Sequence, residues 1–499
     1  MLPAGFAIEC DSLNRKREGS WADKASCQVA NGEIKLIPEK RPGSPPALRV
    51  GIVGGGASGS LVAVNLLRLA DRPMTIDLID ESGDFGPGIP YRTVNPEHRI
   101  NVPTCRMSAL ADSPDHYLDW RRARDPAAKP EEYTSRSIYG EYLRELLEQG
   151  AADAAPAIEL NRVTDRVRAV DLGHSRPALL LPDHRVEVDH VVIATGPVAG
   201  ADPVPVPVPD GLKEQSLYLP SAWDTESVEA ATSDRDVLII GTGLTMVDVA
   251  LTLGARPNGP RILAVSRSGM FPKTHLERLT RLSTPEIPAE GPVSKRELLG
   301  AFTELLSRAA VNGDDWRDAI DSMRLVTGDA WRRMPVEDRR WLLENVNRPW
   351  EVHRYRMAPS VGARFHHLID SGRLEVTKAG IDSIEQAGSR VRVNFQLTDG
   401  CDTRDFDRVI SACGASTDIR RDAPEPVQGL IQAGHLAPDD LLLGLEVDRD
   451  GAARNSAGER SELISVLGSL RRGVDWESIG VTELKTQSDT IARRLLDSL

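Results

Sequence analysis

The chain has few cysteines, and their spacing matches neither a metal site nor a disulfide framework. Its five cysteines are spread over 499 residues, include no C-x-x-C pair and have no histidine nearby at ligand spacing. Disulfide scaffolds and structural zinc sites concentrate their cysteines, so both classes are excluded. We therefore expect a reducing, cytoplasmic setting and no metal ion.

The chain also lacks an excess of positive charge. It has 61 Lys and Arg against 74 Asp and Glu, a net charge of −13, and 40% of its residues are hydrophobic. Nucleic acids and anionic membranes attract basic surfaces, so neither is expected as a partner. The composition is that of a soluble globular protein with two or three domains, and a small anionic substrate in a locally basic pocket stays possible.

A convincing membrane or signal segment is missing too. Leu2 to Ile8 is apolar but is broken by Pro3 and Gly5, which is too weak for a signal-peptide core. Val50 to Leu67 carries no charge over 18 residues, the length of a membrane span, yet five glycines stand in its first ten positions. The glycines indicate a turn between a strand and a helix instead.

A strand, glycine turn, helix and strand occur in this order twice, over Leu48–Ile79 and over Val237–Val265. A buried strand with a glycine turn follows each unit, at Val191–Gly196 and Val409–Gly414. Such units build parallel sheets, because parallel neighbours need a crossover helix. The sequence predicts an α/β protein with two Rossmann-like dinucleotide-binding domains.

The first turn, residues 54–59, fits G-x-G-x-x-G. Glycine permits the tight turn, the approach of a pyrophosphate and close packing of helix on strand. Asp80 follows Gly54 by 26 residues, where a carboxylate can accept hydrogen bonds from ribose hydroxyls. A glycine turn without a ligand is the alternative.

The second turn, residues 241–246, has Met246 in place of the third glycine. Arg267 stands 26 residues after Gly241, where the first unit has Asp80. An arginine there can pair with a 2′-phosphate, whereas a carboxylate would repel it. We therefore expect FAD in the first site and NADPH in the second, with a solvated strand-end charge as the other interpretation of Arg267.

On these turns and on four further stretches, the chain resembles flavoproteins with two dinucleotide-binding domains. More narrowly, it resembles the FAD/NAD(P)-binding family that groups FAD-dependent urate hydroxylases with aspartate N-monooxygenases. The matching stretches are residues 85–91, 101–108, 350–356 and 468–484. The resemblance covers about residues 48 to 499.

The resemblance implies a FAD-binding domain split around the NADPH-binding domain. We expect a flexible arm at 1–47, the FAD-binding domain at 48–202 and 406–499, and the NADPH-binding domain at 210–405. A helical insertion is expected at about 295–345. Cys105 and Cys413 depart from the family pattern and are expected to be packing thiols.

Two sets of residues are expected to hold the cofactors. Those for FAD, some in the glycine turn and the others beside the flavin or the strand ends, are Gly54, Gly56, Ala57, Ser58, Gly59, Asp80, Glu81, Asn101, Val102, Met107, Ser108, Val167, Thr195, Gly196, Gly468 and Thr482. Those for NADPH are Gly241, Gly243, Leu244, Thr245, Ser266 and Arg267.

The cofactors rather than a side-chain constellation are expected to carry the chemistry. In a monooxygenase, NADPH reduces the flavin, O₂ adds at flavin C4a as a (hydro)peroxide, and the distal oxygen passes to the substrate. No side chain needs to be a nucleophile.

His353, Arg354 and Arg356 are the candidate substrate-pocket residues, with Trp350, Trp331 and Trp341 nearby in the sequence. Guanidinium groups would suit a small anionic substrate such as a urate-like ring or an amino acid. A helix with a basic face and inward-packed tryptophans is the equal alternative. Lys273, Thr274 and His275 line the nicotinamide entrance or a solvated loop.

Three functions remain from the sequence. The favoured one is an NADPH-dependent FAD monooxygenase acting on a small molecule and O₂. The others are a flavin reductase without oxygen insertion and a non-catalytic dinucleotide-binding sensor. A dithiol reductase is disfavoured, because Cys401 and Cys413, the nearest pair, are twelve residues apart.

Overall fold

The computed structural model describes residues 25–30, 33–38, 47–197, 204–414 and 418–498. The chain divides into two units, residues 1–47 and residues 48–499. In the first unit, two strands pair in antiparallel register from Ala25 opposite Pro38 to Ala30 opposite Glu33. These two strands lie within the segment 1–47 that the sequence predicts to be a flexible arm.

The described residues contain nineteen strands. They are β1 (Ala25–Ala30), β2 (Glu33–Pro38), β3 (Leu48–Val53), β4 (Met74–Ile79), β5 (Ile158–Val163), β6 (Ala169–Asp171), β7 (Ala178–Leu180), β8 (Arg185–Glu187), β9 (His190–Ile193), β10 (Tyr218–Leu219), β11 (Asp236–Ile240), β12 (Arg261–Ser266), β13 (Leu374–Lys378), β14 (Gly380–Ala387), β15 (Arg390–Leu397), β16 (Gly400–Phe406), β17 (Arg408–Ser411), β18 (Ala452–Arg454) and β19 (Arg460–Val466).

The same residues contain fifteen α-helices and three short 3₁₀ helices. The α-helices are α1 (Ala57–Leu69), α2 (Gly88–Tyr91), α3 (His116–Arg124), α4 (Arg136–Asp153), α5 (Asp210–Glu214), α6 (Thr225–Ala230), α7 (Leu244–Gly254), α8 (Lys295–Asn312), α9 (Trp316–Arg333), α10 (Val336–Asn345), α11 (Asn347–Arg354), α12 (Pro359–Asp370), α13 (Ile419–Asp422), α14 (Glu425–Gln432) and α15 (Val481–Ser498); the 3₁₀ helices are Thr104–Arg106, Ala231–Ser233 and Gly468–Arg471.

The first large sheet has six strands in the order β18-β19-β9-β3-β4-β5. All neighbours are parallel except β18 and β19. Helix α1 packs against α4 and α15 on this sheet. Strands β18 and β19 follow the whole second sheet in the chain, so the first sheet is built from two separate segments.

The second large sheet has five parallel strands in the order β10-β17-β11-β12-β13. The predicted domain division, with the second FAD-binding segment starting at 406, is wrong for β17, because this strand pairs with β11 in the second sheet. Strand β17 is the counterpart of β9, which lies beside β3 in the first sheet. Each of these two strands pairs with the strand that precedes a glycine turn, β3 in the first sheet and β11 in the second.

Four consecutive helices, α8 to α11, form a helical layer between β12 and β13. A capping box begins α8 at Ser294 and Glu297, and another begins α9 at Asp315 and Asp318. The layer was expected at about 295–345 and continues in the structure through Arg354. Its apolar core includes Trp331 and Trp350 together with Trp476 from the C-terminal segment.

The uncharged stretch at 50–67 forms most of the buried strand β3 and of helix α1, whose residues 59–67 are buried. Valine, isoleucine and leucine from β3, β4 and β9 fill two cores, one on each face of the first sheet. Within the described part of the chain, none of the helices combines the length and the apolar character that crossing a bilayer requires.

Trp331 should contribute strongly to stability. It is 0% exposed, its ring lies 4.5 Å from that of Trp476, and its Nε1 donates to the carbonyl of Gly473 at 2.9 Å. We expect Trp331→Ala to lower the free energy of unfolding by about 3–5 kcal/mol through the cavity and the lost hydrogen bond. Urea unfolding followed by circular dichroism measures it.

Trp341→Ala is the matched control, since Trp341 lies in the same layer but is 37% exposed. Its effect should stay near about 1 kcal/mol. Equal losses in both variants would show that Trp331 is not a core residue of the layer.

Candidate functional site

The first glycine-rich turn joins β3 to α1. Gly54 has a φ of +107°, and a Cβ on it would lie 2.4 Å from the carbonyl oxygen of Ala194. A Cβ on Gly59 would lie 1.9 Å from the carbonyl oxygen of Gly54. Both positions therefore need glycine. Gly56 precedes α1 without a side-chain cap, so the N–H groups of the helix start can face an anion.

The second turn, between β11 and α7, has the same geometry. Gly241 has a φ of +113°, and a Cβ on it would lie 2.3 Å from the carbonyl oxygen of Ala412. Helix α7 also begins at a glycine, Gly243, without a side-chain cap. Met246, in place of the third glycine, is fully buried. The substitution that weakened the sequence match therefore leaves the turn intact.

Asp80 ends β4 beside the first turn. Its Oδ2 accepts a hydrogen bond from the Gly55 N–H at 2.8 Å, and its Oδ1 accepts one from the Ser82 N–H at 2.9 Å. Oδ1 also accepts from the Ser82 hydroxyl at 2.5 Å. These bonds hold the carboxylate against the turn, and Oδ2 can still accept another donor. The neighbouring Glu81 is exposed, with its carboxylate 3.9 Å from Arg166.

The C-terminal segment returns to the first turn. Gly468 has a φ of +77°, and a Cβ on it would lie 3.0 Å from Oγ of Ser58 in α1. The next side chain, Ser469, has a buried Oγ without a hydrogen-bond partner among the described residues. Thr482 lies in the first turn of α15, which begins shortly afterwards.

The end of β9 carries a second orphaned group. Thr195 Oγ1 is buried and has no hydrogen-bond partner among the described residues, and Gly196 follows with a φ of +78° and open space beside it. Buried hydroxyls normally have partners. Free helix N–H groups, two orphaned hydroxyls and a positioned carboxylate together fit the phosphates and polyol of FAD.

Several side chains predicted beside the flavin pack within the protein. Met107 and Val167 are buried in apolar cores, and Val102 packs against one of them. Ser108 Oγ donates to the carbonyl of Ser113 at 2.6 Å. The side chains of Met107, Ser108 and Val167 are therefore used within the protein, and contact of these residues with FAD stays a prediction.

Arg267 follows β12 on the second sheet. It is exposed and makes no hydrogen bond or ion pair with any residue that the structure describes. Ser266 Oγ lies 2.8 Å from Oγ1 of Thr242 in the second turn and accepts from the Gly269 N–H at 3.0 Å. A free guanidinium thus stands close in sequence to a serine that contacts the glycine turn.

Helix α7 carries the other two residues predicted for NADPH. Leu244 packs against the apolar core of the second sheet, so its side chain serves the fold. Thr245 lines a cavity of about 330 Å³ between α7 and residues 89–98. Thr252, one of the α7 residues at this cavity, is hydrogen-bonded to His98 at 2.9 Å.

The predicted substrate-pocket arginines already have carboxylate partners. Arg356 is 0% exposed and its Nη2 lies 2.6 Å from Oδ1 of Asp321. Arg354 forms a bidentate pair with Glu477 at 2.9 and 2.8 Å. Both guanidinium groups are therefore paired with carboxylates inside the protein.

His275 connects the Asp321–Arg356 pair to residues 101–108, the segment that is predicted to lie beside the flavin. Burial and the nearby Arg356 guanidinium lower the pKa of His275 well below its ordinary value, so the ring is neutral. Its Nε2 donates to the carbonyl of Asn101 at 3.0 Å, and its Nδ1 accepts from Nε of Arg356 at 3.2 Å. Lys273 is exposed, and the Thr274 carbonyl accepts from Arg317 at 2.6 Å.

His353 and Trp350 lie on α11 at an apolar cavity of about 420 Å³ inside the helical layer. Trp331 and Trp341 are absent from the cavity wall, as are Arg354 and Arg356. The residues grouped by the sequence therefore separate into a buried ion-pair network and an apolar cavity.

Comparison with known proteins follows this geometry. Residues 51–198 match the family model described as FAD-NAD(P)-binding. No curated protein sequence is similar enough to the chain to count as a match.

Solved structures match nearly the whole chain. L-lysine 6-monooxygenase from Pseudomonas syringae has a TM-score of 0.59 at 16% identity, covering 91% of this chain and 100% of that one. Ornithine N-hydroxylase from Kutzneria sp. 744, with reduced FAD, NADP⁺ and L-ornithine, has 0.55 at 16% over 90% and 99%. Bacillithiol disulfide reductase from Bacillus cereus has 0.50 at 15% over 91% and 100%.

The chain has the fold of flavoproteins with two dinucleotide-binding domains. The predicted fold class is thereby confirmed.

Arg348 is a site residue that the sequence analysis missed. Its Nη2 donates to the Met270 carbonyl at 2.6 Å, to Thr242 Oγ1 at 2.9 Å and to the Thr242 carbonyl at 3.1 Å. Burial lowers the pKa of this guanidinium. No local motif marks Arg348, because it reaches the second turn from 106 residues further along the chain.

No group of three or more His, Cys, Asp or Glu is placed to hold a metal ion in the part of this flavoprotein that the structure describes. The described cysteines, Cys105, Cys401 and Cys413, form no disulfide. Burial raises the pKa of the Cys105 thiol, which keeps it protonated.

The Asp321–Arg356 pair should make stability depend on pH. Burial opposes ionisation of Asp321, but Arg356 and Thr280 outweigh it and hold the pKa below its ordinary value. The stabilisation is therefore complete above about pH 4, the ordinary pKa of aspartate, and is lost as pH falls through the lower folded value. Asp321→Asn should cost about 3–5 kcal/mol at pH 7, because it leaves a buried charge unpaired.

Urea unfolding at pH 7 and near pH 3 measures this deficit, which should shrink at the acidic value. Asp405→Asn is the control, since its pair with Arg392 is exposed and should matter little. A deficit of Asp321→Asn that is equal at both pH values would contradict the assignment.

Proposed function

We propose that this flavoprotein is an NADPH-dependent FAD monooxygenase acting on a small organic substrate. The proposal rests mainly on two glycine turns of matching geometry in one chain. Asp80 lies beside the first turn, and the second is followed by Arg267, which has no ion-pair partner among the described residues. The lysine and ornithine hydroxylases that share the fold support oxygen insertion.

The first turn is the proposed FAD site. The N–H groups at the start of α1 would bind the pyrophosphate, and Asp80 would accept from ribose hydroxyls. Thr195 and Ser469 supply hydroxyls that lack partners within the described chain. When bound, FAD would accept hydride from NADPH and activate O₂.

The second turn is the proposed NADPH site. The N–H groups at the start of α7 would bind the second pyrophosphate, and Arg267 would pair with the 2′-phosphate. Arg348 is half-buried and donates to the carbonyls of Thr242 and Met270, so it would stabilise the turn and add positive charge beside the phosphates.

The network of Asp321, Arg356 and His275 would position residues 101–108 beside the flavin. Neutral His275 holds the Asn101 carbonyl, Arg356 holds His275, and Asp321 neutralises Arg356. Because each side chain of the network is hydrogen-bonded and the Asp321–Arg356 pair is buried, the network would keep its geometry without releasing a proton into the site. The sequence-based proposal that Arg354 and Arg356 bind an anionic substrate is not retained.

A reductase without oxygen insertion is the second candidate, favoured by the bacillithiol disulfide reductase fold. Its dithiol form needs two cysteines beside the flavin. Of the described cysteines, Cys401 lies in β16, Cys413 follows β17 and Cys105 lies in a 3₁₀ helix. Of the described cysteines only Cys105 lies in the segment 101–108 that is predicted beside the flavin, so a cysteine pair is not placed there and the monooxygenase remains the proposal.

The purified chain should contain FAD, and NADPH added without oxygen should bleach its visible absorbance. After air is admitted with a true substrate, NADPH consumption should exceed hydrogen peroxide release, the difference appearing as oxygenated product. Mass spectrometry with ¹⁸O₂ measures that product. Full peroxide release with every substrate would contradict oxygen insertion, and a flavin that NADPH does not bleach would contradict an NADPH-dependent enzyme.

Arg267→Asp should separate the two nicotinamide cofactors. Reversing the charge should raise the KM for NADPH at least about tenfold and leave the KM for NADH nearly unchanged, because only NADPH carries the 2′-phosphate. Arg122→Asp, at an exposed arginine of α3, is the charge-matched control. Equal changes in both Michaelis constants would rule out the proposed role of Arg267.

A further inference from the structure

The helical layer contains a cavity that neither proposed cofactor site uses. Its volume is about 420 Å³, and its walls come from α8 to α11 and from Trp476. The dinucleotide turns lie at the ends of β3 and β11, outside this layer. The cavity is therefore available to a third, separate molecule.

Among the residues that the structure describes, no Asp, Glu, Lys or Arg side chain lines the cavity. The lining is made of aromatic and aliphatic side chains, one threonine and one histidine. The threonine, Thr327, already donates its hydroxyl to the Met323 carbonyl at 2.6 Å. An ionised ligand would lose its hydration without gaining a charged partner, so the cavity selects against ions.

Aromatic rings form the walls at several angles. The Trp350 ring lies 6.0 Å from Phe302 in an edge-on arrangement and 6.1 Å from Trp476 in a tilted one. Trp316 lies 5.1 Å from the His353 ring, again edge-on. Aromatic walls of this kind favour a planar aromatic guest through offset and edge-to-face contacts.

Trp350 supplies an unused hydrogen-bond donor. The residue is 9% exposed, and its buried Nε1 has no hydrogen-bond partner among the described residues. A buried indole N–H usually finds a partner, and leaving it unpaired costs free energy. A ligand with an acceptor atom would remove that cost.

His353 supplies a complementary group. Its Nδ1 lies 2.7 Å from the Pro349 carbonyl, and because a carbonyl oxygen only accepts, Nδ1 carries the hydrogen. With Nδ1 as the donor, Nε2 is the ring nitrogen left to accept, and His353 lines the cavity. The cavity thus offers one donor and one acceptor within apolar walls.

We infer that this cavity binds an uncharged aromatic molecule bearing a hydroxyl or similar group, held at Trp350 Nε1 and His353 Nε2. This inference rests on the proposed function for the identity of the occupant, since it makes this molecule the aromatic part of the substrate. It replaces the anionic amino acid or urate-like substrate expected from the sequence. A hydroxyl can accept from the indole N–H and donate to the imidazole.

Titration calorimetry on the FAD-loaded full chain tests the inference with three probes of nearly equal shape. We expect 2-naphthol to bind more tightly than naphthalene, which lacks the hydroxyl, and than 2-naphthoate, which carries a charge. L-Aspartate and urate should not compete with 2-naphthol. These measurements on the unaltered protein need no variant to fold.

Trp350→Phe keeps an aromatic wall and removes the N–H. It should weaken 2-naphthol about tenfold and naphthalene less than about twofold, because only the hydroxyl uses the indole N–H. Trp341→Phe is the matched control, since Trp341 is in the same layer but does not line the cavity. It should change neither affinity.

Three results would overturn the inference: no binding of 2-naphthol at millimolar concentration, tighter binding of 2-naphthoate, or equal effects of Trp350→Phe and Trp341→Phe. The proposed function is scored separately by flavin bleaching with NADPH. If 2-naphthol binding depends on Trp350 but the flavin is not reduced, the cavity is supported and the monooxygenase is not. Bleaching without binding gives the reverse result.

Discussion

A close contact between backbone segments recurs in both halves of this protein. Gly54 lies against the carbonyl of Ala194, and Gly241 lies against the carbonyl of Ala412, each too near for a Cβ. The contact brings the strand end, the turn and the helix start together, so each helix presents N–H groups at the edge of its sheet. Asp80 and Arg267 gain their proposed roles only because these turns place a dinucleotide beside them.

The two glycine turns have the same geometry but differ in whether a side chain is tolerated at the position of the third glycine. In the first half Gly59 is required, because a Cβ there would collide with the Gly54 carbonyl. In the second half Met246 occupies that position and is buried in the core behind the turn. The third glycine serves helix packing rather than phosphate approach, so its loss does not open the turn.

Charge is distributed differently in the helical layer than the sequence suggested. Arg354 and Arg356 neutralise Glu477 and Asp321, because buried guanidinium groups without carboxylate partners would be costly. This pairing leaves the cavity beside His353 and Trp350 without charge. Residues 350–356 thus contact the segment 101–108 through Arg356 and His275, and line an apolar cavity with Trp350 and His353.

Sequence alone predicted the fold class, because hydrophobic periodicity and glycine spacing are local properties that a single stretch carries. It placed β17 in the wrong half, since strand pairing depends on residues far apart in the chain. Likewise only the tertiary structure decided the partners of Arg354 and Arg356, the contact of Arg348 with the second turn and the existence of the cavity. Each depends on long-range packing, which no local pattern encodes.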